Sequence, residues 1–90
     1  MAFSEYEIET PCDGLTADSD GDALYQAGLA YSLGETVDTD LVEAHKWFNL
    51  AALKGVEEAR SLRREMADQM SAEEIRAAQK AAREWLRLMN

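Results

Sequence analysis

With 90 residues, 47% of them hydrophobic, and a single proline, the chain is at most one small, helix-compatible domain. The lone Cys12 excludes an internal disulfide, no Cys/His set has structural-zinc spacing, and no stretch approaches the roughly 18 apolar residues of a membrane helix. The formal net charge of −9 opposes binding to nucleic-acid phosphates, and no basic stripe is expected to offset it.

That charge is uneven. Residues 1–22 hold seven acids and no base, whereas the other 68 residues hold eleven acids and nine bases. The boundary near Gly21 separates an acidic arm, residues 1–20, expected to be flexible or extended, from a nearly balanced body. In the arm, FSEYEIET alternates. Glu5, Glu7 and Glu9 share one side of an extended chain and Tyr6 and Ile8 the other, which suits either a mobile tail or a strand added to a partner. The opening MAFSEYEIETPCDG has neither a basic block nor an apolar block of a leader, so a cytoplasmic protein is expected. TADSDGDA places Asp18, Asp20 and Gly21 at positions 3, 5 and 6 of a calcium loop, but Thr16 and Ala27 stand where its first and last carboxylates belong. An acidic cap for the next helix is the simpler reading, and no metal site is expected.

From Asp22 the period turns helical: Leu24, Ala27, Gly28 and Tyr31 repeat on one face, and Gly34 marks a stop. After ETVDT, Asp40 or Thr39 can cap a second helix with Leu41, Ala44, Phe48, Ala51 and Ala52 on one face and Trp47 and Leu50 beside it, ended by Gly55. Small residues at Gly28, Ala44 and Ala51 allow two antiparallel helices to approach closely. A third helix is expected over about Val56 to Met70, with Ala59, Leu62, Met66 and Met70 on its apolar face. Ser71 and Glu74 have capping-box spacing and open a fourth, whose apolar set is Ile75, Ala78, Ala82, Trp85, Leu86 and Met89, with Arg76, Lys80, Arg83 and Arg87 toward water.

The two helix pairs look related. A shift of 36 places Ala23 on Ala59, and a shift of 38 places Ala44 on Ala82, Trp47 on Trp85 and Phe48 on Leu86. The expected fold is therefore all-α: two antiparallel helix hairpins, residues 21–55 and 56–90, stacked as a short right-handed α/α solenoid, the second a degenerate, capping copy.

Residues 21–59 carry Ala23, Gly28, Tyr31, Gly34, Val37, Asp40, Ala44, Trp47, Phe48, Ala51, Ala52, Gly55 and Ala59 in an order and spacing that resembles a Sel-one-like repeat, a relative of the tetratricopeptide repeat. Thr36 departs from that pattern, which usually has a second glycine there. The resemblance implies a solenoid that binds proteins or peptides as an adaptor, often in bacterial signalling or envelope biology.

Catalysis finds little support. His45 has no carboxylate or nucleophile at helical spacing and is expected at the surface or edge of its helix. Cys12 lies among acids, which blunt a thiol's nucleophilicity, and the paired acids Glu57/Glu58 and Glu73/Glu74 open helices, where the dipole accounts for them. The expectation is a non-enzymatic interaction module with no cofactor that binds a protein or peptide on its concave helical face; the resemblance to tetratricopeptide domains implies contact through Tyr25, Leu29, Ser32 and Leu33. The alternative is a self-assembling unit whose homodimer buries Trp85, Leu88 or the open face of the first hairpin.

Overall fold

A computed structural model describes residues 11–89, so the expectations for Tyr6, Ile8 and the glutamates between residues 5 and 9 fall outside the described residues. The described residues form four helices: α1 (Gly21–Leu33), α2 (Leu41–Leu53), α3 (Glu57–Asp68) and α4 (Ala72–Met89), an all-α fold.

The helix ends follow side-chain chemistry. Asp20 accepts a hydrogen bond from the Ala23 amide at 2.9 Å, which spends the supposed calcium ligand on capping α1. Asp40, of the two candidates, caps α2 by accepting from the Glu43 amide at 3.1 Å. The capping box forms in both directions: the Ser71 amide donates to Glu74 Oε1 at 2.8 Å, and the Glu74 amide donates to Ser71 Oγ at 3.1 Å. Gly34 leaves α1 in the left-handed region at φ 72°, where its amide still reaches the Ala30 carbonyl. α3 is a little shorter than its apolar pattern, because Gln69 and Met70 turn the chain toward Ser71.

α1 and α2 run antiparallel. The Asp40 amide donates to the Tyr31 carbonyl at one end, and Gly21 abuts Lys54 and Val56 at the other. Between these ends Gly28 lies against the Phe48 ring, with no room for a Cβ. α2 is the hub of the molecule: close helix packing is confined to α1 on α2, α3 on α2 and α4 on α2. α3 and α4 are consequently more splayed than the first pair. Neither contains a glycine, and at the 36-residue shift Arg64 of α3 stands where α1 has Gly28.

Residues 11–20 are not extended. They fold into two turns, closed by Leu15 N–H to the Cys12 carbonyl and Ser19 N–H to the Thr16 carbonyl. Cys12 and Leu15 pack on the core, and Lys54 Nζ donates to the Ala17 carbonyl at 2.7 Å. Burial of Leu15 and capture of the chain by Lys54 give this segment a place on the body that its charge did not advertise.

Candidate interaction surface

Tyr25, Leu29, Ser32 and Leu33 recur at helical spacing and share one side of α1, away from the Leu24, Ala27 and Gly28 side that meets α2. They are not equivalent. Tyr25 tilts against Phe48, with ring centroids 5.8 Å apart, and Leu29 packs partly on the core. The Ser32 hydroxyl donates back to the Leu29 carbonyl at 3.0 Å, so its polar capacity is largely spent within the helix. Leu33 is the open member at 60% exposure.

The repeat-signature residues serve the interior. Ala44, Trp47 and Ala51 are buried on α2, Gly28 on α1, and Gly55, at φ 96°, turns the chain into α3. The Trp47 indole N–H donates to Glu43 Oε1 at 3.0 Å, and Lys46 sits 4.4 Å above the same ring while pairing with Glu43 at 3.5 Å. Tyr31 is half-buried beside Cys12, with its hydroxyl 3.8 Å from the sulfur. Burial first, and then the hydrogen bond with Cys12, pushes the phenol up to about 12. Trp47 meets Trp85 edge to face, centroids 5.0 Å apart and planes at 80°, so the two tryptophans related by the 38-residue shift stack on each other. Trp85 is thereby partly buried against the core.

His45 corrects its expected position. It is 3% exposed, because α2 is surrounded by three helices and keeps no free edge at this point. Its Nδ1 has no hydrogen-bond partner among the described residues, and burial, then the charge of Arg63, lowers its pKa from the ordinary 6.5. The fold therefore holds the neutral ring. The unfolded chain binds a proton on His45 that the folded chain refuses, so stability is unaffected by this group above about pH 6.5 and is lost as pH falls below it. Between pH 7 and 5 the melting temperature of the wild type is expected to fall more steeply than that of His45→Gln; equal slopes would discard this assignment.

Two further features were not legible as sites. The folding of residues 11–20 over α1 creates an open depression of about 390 Å³ lined by Pro11, Asp13, Ala23, Gln26, Ala27 and Ala30, with Thr36 at one end. The expectation of no basic stripe also needs correction: Arg76, Lys80, Arg83 and Arg87 are all exposed along one side of α4. Their period turns them toward water, but the overall negative charge speaks against reading them as a stripe.

Among the described residues no group of three or more His, Cys, Asp or Glu converges as a metal site, and no helix is long and apolar enough to cross a membrane. No protein-family profile, curated protein or solved structure matches the chain.

Proposed function

We propose that this chain is a non-enzymatic protein-protein interaction module of the Sel-one-like repeat kind, an adaptor or regulatory scaffold that works without a cofactor in a bacterial cytoplasm. It holds a peptide or protein segment against α1 through Tyr25, Leu29, Ser32 and Leu33. The observation that carries this reading is the outer side of α1: Leu33 is open to solvent in line with the half-buried Tyr25 and Leu29. An apolar side chain displayed beside an aromatic on a rigid helix is the form an anchor pocket takes.

Selection from a displayed peptide library against the wild-type chain tests the reading. Enriched peptides are expected to lose about tenfold or more in affinity for Leu33→Glu, since losing one buried leucine contact is worth about 1.5 kcal/mol or more. Thermal unfolding of that variant should match wild type, because Leu33 is exposed in the free protein. No enrichment, or peptides indifferent to Leu33→Glu, rejects the α1 surface.

The second reading, an apolar homodimer, draws on Leu53 and Leu88, 68% and 70% exposed, and on Met89 beside Leu88. Such a dimer would persist at high salt, where charge contacts fade.

A further inference from the structure

All nine bases of this chain lie at or beyond Lys46, whereas residues 1–45 carry eleven acids and no base. Four of the bases, Arg76, Lys80, Arg83 and Arg87, recur every three or four residues along α4. They fall within about 60° of one another around the helix and extend about 16 Å along it. All four are exposed, on the side opposite the buried Ala78 and Ala82, and none has an ion-pair partner among the described residues. Glu73 and Glu84 flank the row and are also exposed.

We propose that this row of bases binds the acidic segment of residues 5–9 from a second copy of the chain, in a reciprocal two-fold dimer. In an extended segment, alternate side chains are about 6.7 Å apart, close to the rise of about 6 Å between bases four residues apart on a helix. Two successive glutamates of Glu5, Glu7 and Glu9 thus match Arg76 with Lys80, or Arg83 with Arg87, in spacing as well as in sign, and arginine takes a carboxylate through two parallel hydrogen bonds. The segment is assigned to the other copy because the described chain starts on α1, which is not closely packed with α4. Pro11 lies beside Ala23, Gln26 and Ala30 of α1, and Glu9 is within about 7 Å of Pro11. α4 packs closely only on α2, with its bases facing outward. Exposed ion pairs are individually weak, and reciprocity supplies the missing strength: once one arm docks, the second docks at high effective concentration. This surface is separate from the side of α1 discussed above and does not depend on its reading.

The test is absolute mass by light scattering over a concentration series, on the full chain, at low and high salt. A dimer is expected at low salt, with its apparent dissociation constant weakened about tenfold or more between 20 and 300 mM sodium chloride. Arg76→Glu/Arg83→Glu and Glu5→Lys/Glu7→Lys/Glu9→Lys should each be monomeric, and mixing the two should restore a heterodimer. All the substituted arginines are exposed, so unchanged circular dichroism melting verifies the fold. A monomer at all concentrations in low salt overturns the proposal, as does a dimer indifferent to salt and to both charge reversals. Binding of a short DNA duplex that Arg76→Glu/Arg83→Glu abolishes, without any wild-type dimer, would reassign the row to phosphates and overturn it equally.

Discussion

Trp47→Ala is expected to destabilise the protein by about 3–5 kcal/mol, the loss typical of truncating a fully buried aromatic. Trp47 has no exposed surface, fills the join between α2 and α4 against Trp85, and ties its indole N–H to Glu43. Because α4 packs closely only on α2, the cavity opens where this helix has its main attachment, and few other contacts can compensate. Small domains have a total stability of the same order as this loss, so the variant should be largely unfolded by chemical denaturation criteria at 37 °C. Trp85→Ala should cost less, since Trp85 is only partly buried. An unfolding free energy for Trp47→Ala, from denaturant titration, within about 1 kcal/mol of wild type would mean that the α2–α4 join is not a cohesive core.

Gly28→Leu carries the other large expected effect, a loss of several kcal/mol. In a helix interior, replacing glycine normally helps by up to about 1 kcal/mol, so the sign depends on space. A Cβ at Gly28 would lie 2.6 Å from both Cδ1 and Cε1 of Phe48, closer than real side chains come. Phe48 is fully buried and has nowhere to turn, so α1 must lift from α2. Even Gly28→Ala should therefore lose about 1–3 kcal/mol, and leucine more. Thermal melts of the two variants measure this directly. An unchanged or raised melting temperature for the alanine variant would show that α1 does not sit against Phe48 as described.

Much of this architecture was legible because its signals are local. Asp20, Asp40 and the Ser71/Glu74 pair satisfy helix-start amides within three residues, and Gly34 needs only its own backbone freedom to stop α1. The apolar periods placed Leu24, Ala27, Phe48, Ala51, Ala78 and Ala82 in the interior, where they lie. The 38-residue self-similarity matched Trp47 with Trp85, and the two rings are in contact.

The candidate surface was only half legible. Periodicity separates Tyr25, Leu29, Ser32 and Leu33 from the side of α1 facing α2, but it cannot rank their exposure, which depends on how Phe48 leans toward Tyr25. His45 was misplaced for a related reason. One helix face predicts one neighbour, and α2 has three. The depression over α1 escaped notice because loop and helix residues far apart in the chain form it together.

By itself, then, the sequence determined the four helices, their caps, the close approach at Gly28 and the partition of charge between the two halves of the chain, since each depends on neighbours within a few residues or on composition. Tertiary structure alone decided that α2 would be the hub, that His45 would be buried neutral, and that residues 11–20 would fold onto α1. Those outcomes depend on which helices meet, and that choice is made by packing among side chains distant in sequence.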